Sequence, residues 1–203
     1  MKPSHIAAII IGLCSLMSFT LFAADIEAGK SKSALCAGCH GQDGNSANGV
    51  WPKLAGQHTT YLVKQLKEFK DGTRADAVMQ GMAATLATEA DIQDVAAFYA
   101  SQKIKAGAFD KDLIKKGEAI YRGGITETSV PACIACHSPS GDGNGPASFP
   151  SLKSQHPEYV VAQLKKFKDG TRANDPGKMM QNVAARMLDS EMTAVAAYLA
   201  GIQ

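Results

Sequence analysis

Aromatic residues are scarce in this chain, net charge is almost nil, and long apolar runs are absent beyond the first two dozen residues. Phe, Trp and Tyr together make up 6% of 203 residues. A core with so few rings is thin unless something else fills it. The 21 Lys and Arg nearly balance the 19 Asp and Glu, leaving a formal charge of +2. That balance excludes a long acidic or basic disordered tail. The sequence pI of about 8.2 is too mild for a nucleic-acid binder. Five cysteines is an odd number, which disulfides alone do not use up.

The one long apolar run comes first. Lys2 supplies a short positive start, Ile6 to Phe22 is broken only by Gly12 and small hydroxyl residues, and Ala23-Ala24 precede Asp25. This three-part pattern predicts a cleaved secretory signal peptide over residues 1–24, with export to the periplasm. Its length sits at the bottom of the roughly 17–25 residues of a spanning helix. Phe22, three positions before a cut after Ala24, leaves the cleavage point loosely specified. Cys14 leaves with this segment. Leu13 before it is not the small residue that a lipid-anchored cysteine wants.

The remainder repeats itself. Cys36-Ala-Gly-Cys39-His40 recurs as Cys133-Ile-Ala-Cys136-His137. Pro52, Leu54, Gln57 and His58 match Pro150, Leu152, Gln155 and His156, and Lys70 to Ala75 recurs unchanged as Lys168 to Ala173. Two copies of one unit are expected, at 25–104 and 105–203, with a polar linker near Ser101 to Ala108. Their coarse structure is all-α. Thr59–Lys70 carries one apolar face and is followed by Gly72; its copy starts at Pro157 and ends before Gly170. Thr88 with Asp91 has capping spacing for a helix through about Ala100, although Asp replaces the usual Glu or Gln. Asp189 or Ser190 opens the last helix, and Glu27–Leu35 and Lys111–Arg122 are expected as helices leading into each cysteine pair.

Cys-x-x-Cys-His is a signature of covalent haem attachment. Two thiols three residues apart share one side of a helical turn and can form thioethers with the two vinyl groups of a haem. The adjacent His then reaches the iron. A zinc ribbon spaces its pairs by roughly 15–20 residues, far less than Cys36 to Cys133. A thioredoxin-like pair expects a strand–helix context, and disulfides leave each following His unexplained. Two covalently bound haems c are therefore expected, on Cys36, Cys39, Cys133 and Cys136, with His40 and His137 on the irons. Two porphyrins also supply the core that the aromatics do not.

A second axial ligand must come from elsewhere. Met79, Met82, Met179, Met180 and Met187 crowd the right region. The repeat aligns Met79-Gln with Met180-Gln, whereas Met82 faces Val183 and Met179 faces Val78. Met79 and Met180 are the predicted ligands. His58 and His156 are equivalent to each other as well and compete, though their place at a helix entry suits capping or a surface role. His/Met ligation leaves no open coordination position, which favours electron transfer over peroxide chemistry.

With these residues in place, the chain resembles the dihaem cytochromes c of the cytochrome c4 family over nearly its whole length after the leader. The resemblance rests on Cys36 to Gly41, Asp43-Gly-Asn45, Pro52 to Gln57, Tyr61, Gln65-Leu66 and the segment around Met79, repeated with Cys133, Cys136, His137, Asp142, Pro150, Gln155, Tyr159 and Met180. It implies two tandem class I cytochrome c domains related by a pseudo-twofold axis, and Pro52 and Pro150 backing the axial histidines through their carbonyls. The copies differ. Gly41 becomes Ser138, residues are inserted before Asp142 and before Met180, and Gly123–Val130 is an added loop.

The resemblance implies a monomeric periplasmic electron carrier and not an enzyme. Its expected partners are a quinol-oxidising complex and a terminal oxidase, with room for peripheral membrane association and none for nucleic acid. Lys64, Lys67, Lys70, Lys165, Lys166 and Lys168 are candidates to steer an acidic partner, against a plain reading as solvated helix faces. The alternative function is the dihaem cytochrome subunit of a flavin-dependent sulfide dehydrogenase. A dihaem peroxidase would need an openable iron, which the paired Met79 and Met180 argue against.

Overall fold

The computed structural model describes residues 23–202. The expected leader, apart from Ala23 and Ala24, lies outside the described residues, as does Cys14. The first half runs α1 (Ile26–Lys32), α2 (Ala37–His40), α3 (Thr59–Lys70), α4 (Ala77–Ala84) and α5 (Glu89–Ser101). The second half has α6 (Ile114–Gly123), α7 (Ile134–His137), α8 (Pro157–Lys168), α9 (Met179–Ala184) and α10 (Asp189–Gly201). Short 3₁₀ turns at Lys111–Leu113 and Pro176–Lys178 precede α6 and α9. Among the described residues, extended pairing is limited to two isolated bridges, Ile125 with Val130 and Asn144 with Phe149, both in the second half. The first of these closes the added loop.

Local chemistry sets these limits. α3 and α8 keep the expected bounds, each stopped by an Asp and a positive-φ glycine, Gly72 or Gly170. α5 opens with a reciprocal capping box, in which Asp91 N–H donates to the Thr88 hydroxyl at 3.1 Å and Thr88 N–H to the Asp91 carboxylate at 2.8 Å. Asp therefore serves where Glu is usual. α1 ends at Lys32, short of the expected Leu35, because the Ser33 hydroxyl turns back to the Lys30 carbonyl at 2.8 Å. α4 and α9 were not expected. They are eight and six residues long, too short for a legible apolar period.

In each half the first helix crosses the last at a glycine: Gly29 faces Asp94 and Phe98, and Gly117 faces Ala194 and Tyr198. The first core gathers Leu62, Leu86, Ile92, Val95, Phe98 and Tyr99, with Cys36 packed against it. The second gathers Tyr121, Leu164, Phe167, Met187, Met192 and Tyr198, with Cys133 and Met180 at its edge. The cysteine pairs thus sit where each core meets the surface. The linker is irregular but fastened to the first half: Lys105 N–H donates to Asn45 Oδ1 at 2.8 Å, Asn45 Nδ2 to the Lys103 carbonyl at 3.0 Å, and Lys53 Nζ to the Lys105 carbonyl at 2.6 Å.

Candidate haem-attachment sites and the interface between them

α2 and α7 are single helical turns closed by the same bonds. His40 N–H donates to the Cys36 carbonyl and His137 N–H to the Cys133 carbonyl, both at 2.9 Å. Cys36 and Cys39 therefore share a face, as do Cys133 and Cys136. None of these four cysteines is joined in a disulfide. Burial pushes the Cys36 thiol up and raises Cys133 to about 11, so neither of these two is an activated thiolate. Among the described residues, no three His, Cys, Asp or Glu side chains come together to hold a bare ion. Zinc and thioredoxin chemistry both lose their footing here.

The histidines are buried and turned alike. His40 is 6% and His137 7% exposed. His40 Nδ1 lies 2.9 Å from the Pro52 carbonyl, and His137 Nδ1 lies 3.0 Å from that of Pro150. Only a protonated Nδ1 can donate to a carbonyl, so the bond fixes the tautomer and leaves the Nε2 lone pair free for a metal. Burial lowers both imidazole pKa values, with the proline carbonyl opposing, so the rings are neutral as ligation requires. Large exposed apolar side chains flank these positions in sequence: Leu35 before Cys36, Val50 and Trp51 before Pro52, and Val78 and Met82 beside Met79. Two thiols and one oriented imidazole in each half, with exposed apolar side chains next to them in the first, are the donor set that a covalent haem needs.

The two attachment turns differ just after the histidine. Gly41 has φ +81°, and a Cβ there would meet the Asn45 carbonyl at 2.6 Å. Ser138 takes a similar φ of +67°, where the inserted residues let its side chain fit. Its hydroxyl accepts from Asp142 N–H at 3.0 Å. The Tyr121 hydroxyl donates to the Ser138 carbonyl at 2.6 Å and approaches that of His137 at 3.2 Å. Sequence reasoning missed Tyr121. Its place on α6 has no aromatic counterpart in α1, so the repeat gives no signal for it.

Met79 and Met180 occupy matching places, each half-buried and four residues before a buried alanine, Ala83 or Ala184. Met180 packs on the second core. Met187 is core, 2% exposed; Lys168 Nζ bonds its carbonyl as Lys70 Nζ bonds that of Leu86, which makes Met187 the counterpart of Leu86. Met82 and Met179 are exposed. His58 and His156 neither cap a helix with their side chains nor sit free on the surface. His58 Nε2 reaches the Asp142 carbonyl at 2.7 Å, and His156 Nε2 reaches the Ser46 carbonyl at 3.0 Å. They tie one half to the other.

Several of the other contacts between halves come in exchanged pairs. Arg74 donates to Gln65, Tyr159 and Gln163, and Arg172 donates to Gln163, Tyr61 and Gln65. Each guanidinium stacks on a ring of its own half, Arg74 at 4.4 Å from the Phe69 centroid and Arg172 at 4.5 Å from that of Phe167. The reciprocity is the pseudo-twofold relation that the resemblance implies.

Comparison with known proteins agrees with this geometry. The cytochrome c family model matches residues 26–103 and again 114–203. Cytochrome c4 of Pseudomonas aeruginosa is 45% identical over 181 residues, covering 89% of this chain and 90% of that protein. The chain belongs to the cytochrome c4 family. Cytochrome c4 of Thiocapsa roseopersicina is 48% identical over 180 residues, 88% of this chain and 93% of that one. The crystal structure of reduced recombinant cytochrome c4 from Pseudomonas stutzeri superposes with a TM-score of 0.85 at 41% identity, over 89% of this chain and 100% of that one. A further relative is a thiosulfate dehydrogenase electron acceptor from Thiomonas intermedia, 40% identical and covering 83% of this chain and 79% of that protein. As a c4-type cytochrome the chain is an all-α pair of class I cytochrome c domains with two covalently bound haems c. It is a periplasmic electron-transfer protein and not an enzyme. Each bound iron supplies one electron through the Fe(II)/Fe(III) couple. No helix among the described residues is long and apolar enough to cross a membrane.

Proposed function

We propose that Cys36, Cys39, His40 and Met79 hold the first haem, and that Cys133, Cys136, His137 and Met180 hold the second. Pro52 and Pro150 orient the two histidines. The protein, exported by cleavage of the leader over residues 1–24, works as a monomer that carries electrons from a quinol-oxidising complex to a terminal oxidase. The observation that carries this reading is the twin commitment of His40 Nδ1 and His137 Nδ1 to proline carbonyls, with Met79 and Met180 on the same turn of corresponding helices. Docking is weak and local, as transient redox encounters are. Long-range steering by the α3 and α8 lysines has little support. Lys64, Lys67 and Lys165 pair with Glu68, Glu89 and Asp189, Lys70 and Lys168 bond backbone carbonyls, and the Lys166 ammonium alone of the six makes no bond or ion pair among the described residues.

The test is a redox titration of the holoprotein with optical spectra. Met79→Ala is expected to remove half of the Met–iron absorption and to lower one of two potentials. Met187→Leu, a volume-conserving change in the core, leaves both intact. Full Met–iron absorption in Met79→Ala would overturn the ligand assignment. The Thiomonas intermedia relative favours a second reading, in which the electrons come from a periplasmic dehydrogenase of sulfur compounds. Reduction rates with a thiosulfate dehydrogenase and with a quinol-oxidising complex, measured side by side, separate the two.

A further inference from the structure

Two glutamines couple the halves at the point where each histidine is held. His40 Nδ1–H donates to the Pro52 carbonyl. That carbonyl and the Lys53 N–H belong to one peptide group, and Lys53 N–H donates across the interface to Gln155 Oε1 at 2.9 Å. Gln155 Nε2 returns a bond to the Lys53 carbonyl at 2.9 Å. The other half repeats the arrangement. His137 donates to the Pro150 carbonyl, Ser151 N–H donates to Gln57 Oε1 at 2.9 Å, and Gln57 Nε2 donates to the Ser151 carbonyl at 2.9 Å.

The amide orientations are determined by their surroundings. Each Oε1 also accepts the N–H of the next residue, His58 or His156, at 3.0 Å. A flipped amide would set an NH₂ group against two N–H donors. Both glutamines are buried, Gln57 at 8% and Gln155 at 6% exposed, so water does not readily replace them.

We propose that Gln155 tunes the first iron centre and Gln57 the second, each acting in trans as a positioning residue on the axial histidine of the other half. A peptide N–H that donates to a good acceptor pushes charge onto its own carbonyl, because chained hydrogen bonds polarise one another. The Pro52 carbonyl becomes a stronger acceptor for His40 Nδ1–H. The imidazole gains anionic character and donates more strongly to iron, which favours the ferric state and lowers the potential. The same holds for Gln57, the Pro150 carbonyl and His137. Neither centre owns its supporting hydrogen bonds, and a substitution in one half is felt at the iron of the other. The inference rests on His40 and His137 as iron ligands.

The test uses the full-length holoprotein. Wild-type spectra first establish two His-ligated low-spin haems; their absence defeats the ligand assignment itself and is recognised before any variant is made. Gln155→Met then removes both cross-interface bonds at similar volume. The expected result is a rise in the potential of the haem on Cys36 and Cys39, with the other potential unmoved, each haem being followed by its own NMR resonances. In the reduced protein the His40 Nδ1–H proton moves upfield and that of His137 stays. Gln57→Met gives the mirror result. A shift confined to the substituted half, an equal shift of both haems, or no shift overturns the proposal. Should Gln155→Met loosen the domain pair, Gln155→Glu keeps an oxygen for the Lys53 amide and must leave the first potential at or below its wild-type value. A rise there overturns the proposal as well.

Discussion

In each half a glycine on the first helix lies against the backbone of the last helix with no room for a Cβ, and replacing Gly117 by Ala puts that contact under load. An ideal Cβ at Gly117 lies 2.1 Å from the Ala194 carbonyl oxygen and 2.7 Å from Tyr198 Cβ, where ordinary contact begins at 3.4 Å. The obstructing atoms belong to backbone and Cβ, so no rotamer change relieves them. α6 and α10 must part by about 1.3 Å, more than the roughly 0.5–1 Å that already forfeits about a quarter to a half of a dispersion contact across the seam. Tyr121 and Tyr198, whose rings meet at a 49° tilt with centroids 5.5 Å apart, bridge the same two helices. Overpacking of this kind costs about 1–3 kcal/mol, at the upper end here because packing is lost on both sides. At about 4–8 °C per kcal/mol for a domain of this size, the second half should melt roughly 10–20 °C early. Gly123→Ala is the control. It lies in the same helix with nothing within 4 Å of an added Cβ, and it should hold or gain about 0.5–1 kcal/mol. The assay is calorimetry with amide exchange in α10. A melting point within 2 °C of wild type, or lost protection in α5 and not α10, would refute the reasoning.

Two further substitutions probe the second attachment turn and the tie between α1 and α5. Tyr121→Phe strips the donor from the Ser138 and His137 carbonyls and should cost about 1–3 kcal/mol, read as an earlier urea midpoint of the second half; an unchanged midpoint would remove Tyr121 from the account of that turn. The Asp91 carboxyl is held down at about 2, first by Lys32 and then by Thr88, and that of Asp94 is also lowered, first by Lys32. A depressed carboxyl contributes its stability above the ordinary value near 3.8 and loses it as pH falls through the folded value. The contribution is therefore complete above about pH 4 and fades toward pH 2. A carboxyl NMR titration should place the Asp91 midpoint near 2 in the wild type and clearly higher in Lys32→Met; equal midpoints would refute the pairing.

What the sequence made legible was whatever repeats or has a period. The cysteine pairs, α3, α5 and α8 all carry spacing signals, and duplication amplifies each by showing it twice. α4 and α9 escaped because a helix of two turns has no period to read, even though both carry a predicted iron ligand. His58 and His156 were visible as a matched pair, and their position at a helix start suggested capping. Their side chains instead cross the interface, a fact that depends on how two copies face each other and not on either copy alone. Gln57 and Gln155 were equally visible as a match, but their use lies in a partner about a hundred residues away. Tyr121 was invisible because it belongs to one copy only. Lys70 and Lys168 read as surface charge, and their ammonium groups bond loop carbonyls just beyond α4 and α9 in their own halves.

The interface also explains why this duplication holds one geometry. Arg74 and Arg172 are 8% and 7% exposed. Both donate to Gln65 Oε1, at 2.6 and 3.2 Å, and both donate to Gln163 Oε1, at 3.0 and 2.8 Å. Two like charges thus converge on the same two neutral oxygens, with Glu68 reaching the cluster through Gln65, Asn174 and Lys64. Burying cations this way is costly, and an apolar seam of equal area would adhere better. A polar seam gains selectivity in exchange. Sliding or turning one half by a residue's width would break the bonds of Arg74 to Tyr159 and Gln163 and of Arg172 to Tyr61 and Gln65, leaving each guanidinium only the glutamine of its own half and the buried donors so freed unsatisfied. Only one orientation satisfies them all. Because electron exchange between two centres falls steeply with their separation, fixing that orientation is worth more to a two-haem carrier than the stability given up.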